Sequence, residues 1–340
     1  MNTFGNSFGD APFGIEHGGD TTDAEARYGR PRDGWIDLST GINPDAYPVG
    51  DWPAAWTHRL PDKALYRALN DAAAACFAIA PDRLIATPGT QAAIQGLSRL
   101  RARSRVAVVG PTYGEHERAW RAAGHDVVVV PTLDDATDAD VIVVTNPNNP
   151  DGRRVDPEHV RAAARRIGAK GGWLVVDEAF ADATPDISVV GHTEDDGLIV
   201  LRSFGKFFGL AGLRLGFVAG SPTVLVPLAA ALGPWAVAGP AAGVGARALA
   251  DRAWIAATRL KLREASTRLQ SLLTRHGLTL VGATSYFCLV ETDRAPDVFA
   301  RLARTGILVR VFAAAPRWLR IGLPGDAVAW QRLEAALEQR

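Results

Sequence analysis

The chain has 340 residues, and its 37 basic and 37 acidic side chains give a formal net charge of zero. This balance lacks the basic excess typical of nucleic-acid-binding proteins, and a hydrophobic fraction of 47% is ordinary for a globular protein. The sequence shows neither a membrane-length apolar run nor an export leader, so we expect a cytoplasmic protein with a small-molecule partner, no nucleic acid and no membrane.

The predicted elements change character along the chain. Residues 1–45 are rich in Gly, Asp and Pro, which predicts an extended arm rather than a folded unit. Apolar spacing then predicts a helix over 62–80, and Asp156 is placed to cap a second helix over 157–167. Short β-branched runs typical of strands buried on both faces span 106–110, 127–130, 141–145, 173–177 and 198–201.

This alternation of strands and helices predicts an α/β fold with a mainly parallel central sheet and helices on both sides. From about residue 225 the pattern is Ala- and Arg-rich helix, then strands near 278–291 and 306–312, then a last helix from about 326. These later elements predict a smaller α+β domain. The predicted arm, large domain and small C-terminal domain cover residues 1–45, 46–225 and 226–340.

Two candidate catalytic side chains follow buried strands. Lys206 lies among aromatic residues and glycines and is one of only four lysines. Loss of hydration there favours a neutral, nucleophilic amine, whereas the alternative is a lysine whose stem packs on Phe207 while its head reaches solvent. Asp177 ends a strand where open α/β sheets place ligands, or else it caps the following turn.

Two further motifs are turns. Residues 146–152 read Asn-Pro-Asn-Asn-Pro-Asp-Gly, which alone predicts only a turn. Gly89 precedes a helix, where free N–H groups and the helix dipole can hold a phosphate. Cys76 and Cys288 form no metal-binding motif, and we predict no metal site.

In this order the motifs resemble those of the fold-type I pyridoxal 5'-phosphate (PLP) enzymes, the aminotransferase class I and II superfamily, over residues 30–325. The most specific segment, at 203–216, reads Ser-Phe-Gly-Lys-Phe-Phe-Gly-Leu-Ala-Gly-Leu-Arg-Leu-Gly. The resemblance implies the PLP-dependent transferase fold of aspartate aminotransferase, with PLP bound in the large domain.

The resemblance also implies a role for each matching residue. Lys206 would bind PLP covalently and move protons, Asp177 would pair with the pyridine N–H, and Tyr113 would stack on the ring. Arg320 would bind the substrate carboxylate. The other implied cofactor contacts are Asn149 at the ring hydroxyl and, at the phosphate, Gly89, Thr90, Gln91, Ser203 and Arg214.

Two positions depart from the pattern of many relatives. Phe180 stands where they have a tyrosine that donates to the ring hydroxyl. Leu60 stands where relatives with Tyr-Pro-Asp have a tyrosine that reaches the neighbouring subunit's cofactor phosphate, and Tyr66 is a candidate substitute.

Within the superfamily, the His17-Gly18-Gly19 segment and residues 39–44 resemble the L-threonine-O-3-phosphate decarboxylases of cobalamin biosynthesis. His17, Gly18, Gly19 and Asn43 would then bind substrate, although a surface histidine and an ordinary strand exit would give the same pattern. The implied enzyme is a homodimeric carboxy-lyase with its active site at the subunit interface. It converts L-threonine O-3-phosphate, a phosphorylated amino acid, to (R)-1-amino-2-propanol O-2-phosphate and CO2. The alternatives are an aminotransferase of histidinol-phosphate type and a ligand-binding protein without turnover.

Overall fold

The computed structural model describes residues 18–195 and 197–338. Its helices are α1 (Thr21–Tyr28), α2 (Ala55–His58), α3 (Lys63–Phe77), α4 (Thr90–Leu100), α5 (Gly114–Ala122), α6 (Pro157–Gly168), α7 (Phe204–Phe207), α8 (Pro222–Leu232), α9 (Gly239–Ala250), α10 (Arg252–Arg275), α11 (Ala295–Arg304) and α12 (Ala327–Glu338). Its strands are β1 (Ile36–Asp37), β2 (Leu84–Thr87), β3 (Arg105–Val109), β4 (Asp126–Val130), β5 (Val141–Thr145), β6 (Trp173–Asp177), β7 (Leu198–Ser203), β8 (Gly216–Ala219), β9 (Thr279–Ala283), β10 (Phe287–Glu291), β11 (Ile307–Leu308), β12 (Arg310–Val311) and β13 (Trp318–Gly322).

These elements divide into two compact units. Asp45–Lys261 form one, called the sheet unit, and the described residues on either side of that segment form the other, called the terminal unit. The division after Lys261 differs from the predicted domain boundary at residue 225. The reason is packing, because Val224, Leu225 and Leu228 of α8 join the core of the sheet unit, and α9 packs on α3.

A seven-stranded sheet forms the centre of the sheet unit, in the order β2-β8-β7-β6-β5-β3-β4. β7, β6, β5, β3 and β4 pair in parallel, and β8 is antiparallel to both of its neighbours. The mainly parallel sheet is therefore confirmed. Burial of every predicted strand on both faces is wrong for β4, an edge strand in which Val128 and Val129 are about half exposed, at 48% and 50%.

Sequence patterns missed β2 and β8, which extend one side of this sheet. Each has only four residues, and both include alanine, so neither forms a continuous β-branched run. They pair with each other in antiparallel register, with Thr87 opposite Gly216. This pairing sets the start of β8 against the segment that leads into α4.

The terminal unit contains a four-stranded antiparallel sheet, β12-β13-β10-β9, and a parallel pair, β1–β11. The expectation of an unfolded, extended arm is wrong for α1, which forms because the Asp20 side chain accepts hydrogen bonds from the amides of Thr22 and Asp23. Across the two described ranges, no helix has the length and apolar character needed to cross a bilayer.

Candidate active site

Asp177 lies at the carboxyl end of β6, as predicted, and is buried. Its Oδ1 accepts a hydrogen bond from the amide of Ala179 at 3.0 Å, and its Oδ2 lies 2.8 Å from Nε2 of His116. His116 is also buried, at 1% exposure. The carboxylate thus caps the following turn and also binds an imidazole, so its orientation is fixed at both oxygens.

Sequence reasoning missed His116. It follows Tyr113 by three residues, and because α5 begins at Gly114 this spacing brings the two rings together. The ring centroids are 6.1 Å apart in an edge-to-face arrangement. The spacing of an aromatic residue and a histidine at a helix start was the available signal.

Tyr113 is partly buried beside this pair. Burial, with further contributions from Glu115 and Asp177, raises the pKa of Tyr113 to about 12, against the opposing effect of Arg214 and Arg118. The phenol therefore keeps its proton at neutral pH. The Tyr113 hydroxyl lies 3.5 Å from Oε1 of Gln91.

The predicted phosphate-binding turn forms at the start of α4. Gly89 has a φ of +78°, and a Cβ at this position would lie 2.6 Å from Nη2 of Arg214. A Cβ on Gly216 would lie 2.8 Å from the amide nitrogen of Thr90. Gly216 is also the register partner of Ser203. Because neither Gly89 nor Gly216 carries a Cβ, the N-terminus of α4, the guanidinium of Arg214 and the end of β7 can lie close together. This arrangement of hydrogen-bond donors suits an anion.

The side chains around this turn divide into two kinds. Within the ranges that the structure describes, the hydroxyls of Thr90 and Ser203 have no hydrogen-bond partner. Nε2 of Gln91 instead donates to Oε2 of Glu115 at 2.8 Å. Thr90 and Ser203 can therefore still donate to a phosphate, and Gln91 can donate through its main-chain N–H or the second hydrogen of its amide nitrogen.

Lys206 lies in α7, directly after β7, and is partly buried. Its Nζ is 5.9 Å from the centroid of the Phe180 ring, which belongs to the segment after β6. The neighbouring Phe207 ring is buried and packs edge-on against Phe208 and Trp254. The amine thus lies at the edge of the sheet where β6 and β7 end.

Asn149 lies in a turn that its neighbour Asn148 fixes. Nδ2 of Asn148 donates to the carbonyl of Pro111 at 2.8 Å and to Oδ1 of Asp151 at 2.7 Å. Its Oδ1 accepts from the hydroxyl of Thr112 at 2.6 Å. Asn149 itself is partly buried. These bonds tie the Asn-Pro turn to the segment that precedes Tyr113.

Tyr66, the candidate substitute for the missing tyrosine, forms hydrogen bonds within its own chain. Its hydroxyl donates to the carbonyl of Val237 at 2.8 Å and accepts from the amide of Val237 at 2.9 Å. The phenol proton is therefore used within its own chain, and the role of Tyr66 as a substitute stays a prediction.

In the terminal unit, three of the predicted substrate residues, Gly18, Gly19 and Arg320, meet at Ser39. The Ser39 hydroxyl accepts from the amide of Gly19 at 2.8 Å, and its carbonyl accepts from Nη2 of Arg320 at 2.6 Å. A Cβ on Gly18 would lie 2.4 Å from that carbonyl oxygen, so only glycine fits there. Oδ1 of Asp37 accepts from both the amide and the hydroxyl of Ser39. Ser39 thus connects the Gly-Gly segment to the arginine.

Sequence reasoning also missed Arg310 as a neighbour of Arg320. The register of the two strands shows that they are adjacent. Arg310 pairs with Arg320 across β12 and β13. Burial lowers the pKa of Arg320 to about 9. The positive charge of Arg310 is a second, smaller cause, and the negative charge of Asp37 opposes both. An anion bound beside the two guanidinium groups would offset their repulsion. Asn43 is buried in the same unit, and His17 lies outside the described residues.

Comparison with known proteins identifies the family. The family model for aminotransferase class I and II matches residues 55–336. The chain belongs to this family. It is 46% identical over 332 residues to threonine-phosphate decarboxylase of Pseudomonas aeruginosa and 47% identical over 328 residues to that of a Sinorhizobium species; each alignment covers 95% of this chain and 97% of the relative.

The fold of this aminotransferase-family chain also matches a solved structure. Histidinol-phosphate aminotransferase from Sinorhizobium meliloti, in complex with pyridoxal-5'-phosphate, superposes with a TM-score of 0.80 at 21% identity, over 93% of each chain. At this identity the likeness concerns the fold alone, and it confirms the predicted fold class.

The residues of the sheet unit fit the cofactor that the family implies. The absence of a Cβ at Gly89 lets the guanidinium of Arg214 lie close to the turn at the start of α4, where a phosphate would find both N–H groups and a cation. Asp177 presents a fixed carboxylate for a ring N–H, and Lys206 presents an amine. These are the groups needed to hold PLP at its phosphate, its ring nitrogen and its aldehyde carbon.

Replacing Gly89 by alanine is expected to weaken PLP binding to the apoprotein by about 10- to 100-fold, the loss of one charge-assisted hydrogen bond. The new Cβ would displace Arg214, and a φ of +78° would strain the alanine. Equilibrium dialysis measures the affinity. Gly114→Ala, at a helix start with no heavy atom within 4 Å of an added Cβ, is the matched control. Equal affinities of the two variants would contradict the assignment.

Proposed function

We propose that this chain is a PLP-dependent L-threonine O-3-phosphate decarboxylase, which forms (R)-1-amino-2-propanol O-2-phosphate and CO2 for cobalamin biosynthesis. The observation that carries the proposal is 46% and 47% identity to two threonine-phosphate decarboxylases over 95% of the chain. A homodimer with its active site at the subunit interface is part of the proposal and rests on the family resemblance.

The residues of the sheet unit support this chemistry. Bound PLP would supply a ring that accepts the electron pair left when CO2 departs. Lys206 would bind the cofactor covalently and later hold the proton that returns to the substrate Cα. Asp177, oriented by His116 and the amide of Ala179, would hold the ring N–H. The phosphate would be bound by the Gly89 turn with Thr90, Ser203 and Arg214.

The residues of the terminal unit support a substrate with two anionic groups. L-Threonine O-3-phosphate carries a carboxylate and a phosphate, and each needs cationic or N–H donors. We assign the carboxylate to Arg320, whose guanidinium can bind it through two parallel bonds. Arg310, its cross-strand partner, adds a second cation. His17, Gly18, Gly19 and Asn43 remain proposed substrate contacts, with the Gly19 amide already used by Ser39.

The function is tested by incubating the purified PLP-loaded protein with L-threonine O-3-phosphate and measuring CO2 and the amine phosphate. We expect both products in equal amounts. L-Threonine without its phosphate is expected to react with a kcat/KM about 10- to 100-fold lower, because charge-assisted bonds to the phosphate are lost. Formation of a phosphorylated 2-oxo acid without CO2, with 2-oxoglutarate present as amino acceptor, would instead establish an aminotransferase.

A further inference from the structure

A series of polar side chains connects the hydroxyl of Tyr113 to the protein surface. That hydroxyl lies 3.5 Å from Oε1 of Gln91, and Nε2 of Gln91 donates to Oε2 of Glu115 at 2.8 Å. Nη1 of Arg118 donates to Oε1 of Glu115. The Glu115 side chain is only 11% exposed, whereas that of Arg118 is 51% exposed. We call Gln91, Glu115 and Arg118 the Tyr113 network.

Chemistry fixes the direction of each hydrogen bond in this network. An ionised carboxylate can only accept, so Gln91 must present its amide nitrogen to Glu115. The amide oxygen of Gln91 then faces Tyr113, and the phenol must donate to it. The raised pKa of Tyr113, about 12, keeps that proton in place at neutral pH.

We propose that Glu115 and Gln91 are positioning residues that fix the Tyr113 hydroxyl as a hydrogen-bond donor and thereby hold the Tyr113 ring for stacking on the cofactor. This inference rests on the proposed binding of PLP. The Gln91 side chain then orients Tyr113 through its amide oxygen.

The same helix, α5, offers a second glutamate that also pairs with an arginine. Glu117 pairs with Arg121 at 2.9 Å, with side chains 39% and 53% exposed. That pair is a solvated helix-surface contact of the kind that contributes little to stability. Glu115 also has an arginine partner, but its second oxygen is bound to a residue at the start of α4. A structural ion pair alone would not need that second contact.

The test compares Glu115→Gln with Glu117→Gln in the full chain. A glutamine at 115 can present either its oxygen or its nitrogen to Gln91, so the amide of Gln91 is no longer held in one orientation. We expect PLP affinity of the apoprotein to fall about fivefold, as for one lost hydrogen bond, and the visible circular dichroism of bound PLP to decrease. The melting temperature of the apoprotein should match that of Glu117→Gln.

A double-mutant cycle with Tyr113→Phe tests whether the effect passes through the hydroxyl. If it does, Glu115→Gln will cause no further loss of affinity or dichroism in the Tyr113→Phe background. Additive losses, or a Glu115→Gln variant indistinguishable from Glu117→Gln, would overturn the inference. If the unmutated chain did not bind PLP, the proposed function itself would fail, so the two failures are distinguishable.

Discussion

Replacing Lys206 by alanine is expected to lower kcat/KM for decarboxylation by at least about 10⁴-fold, because one side chain would perform two tasks. Its amine would bind the cofactor, and it would return the proton to Cα, a general-acid contribution of roughly 10²–10⁴-fold by itself. No arginine can replace it, since a guanidinium stays protonated. The side chain is only partly buried, so its truncation should leave the fold intact.

Steady-state kinetics at saturating PLP give the rate effect, and borohydride reduction followed by mass spectrometry locates the covalent link. The unmodified chain should gain the mass of reduced PLP at residue 206, and Lys206→Ala should gain none. Lys170→Ala, which removes an exposed lysine after α6, is the control and should match the parent in both assays. Labelling of a different lysine in the parent protein would overturn the cofactor assignment.

Sequence patterns predicted the features that depend on short stretches of chain. The continuous β-branched runs predicted β3, β5, β6 and β7, because a strand buried on both faces needs apolar side chains at every position. The end of each such strand then placed Asp177 and Lys206 at one edge of the sheet. Both positions follow from local sequence and from the general location of ligands in α/β sheets.

The partners of these residues could not be predicted in the same way, because they are distant in sequence. His116 meets Asp177 across 61 residues, and Gln91 meets Glu115 across 24. Arg310 is found only from its register with Arg320. Such pairs depend on how strands and helices pack, and the residue types alone fit ordinary surface positions equally well. The short helix α1 was missed for a different reason. Its N-cap, Asp20, lies in a glycine-rich segment, and such a segment predicts a loop.

Replacing Asp177 by asparagine is expected to lower kcat by roughly 10³-fold while the protein stays folded. Asparagine has the same shape, and its oxygen can still accept the hydrogen bond from the Ala179 amide. What it lacks is the negative charge that would hold a protonated ring nitrogen and that also binds His116. Without that charge the ring would withdraw electrons less strongly, so the loss should appear in kcat rather than in KM for the substrate.

The matched control for this change is a second Asp–His pair in the same unit, at the surface. Oδ1 of Asp134 lies 2.8 Å from Nε2 of His159, with the aspartate side chain 70% exposed. Asp134→Asn removes the same charge from the same kind of pair and should leave kcat unchanged. Equal rates for Asp177→Asn and Asp134→Asn would show that the buried carboxylate has no part in the reaction. A large loss confined to Asp177→Asn, with melting temperatures alike, would show that its charge acts on the cofactor and not on the fold.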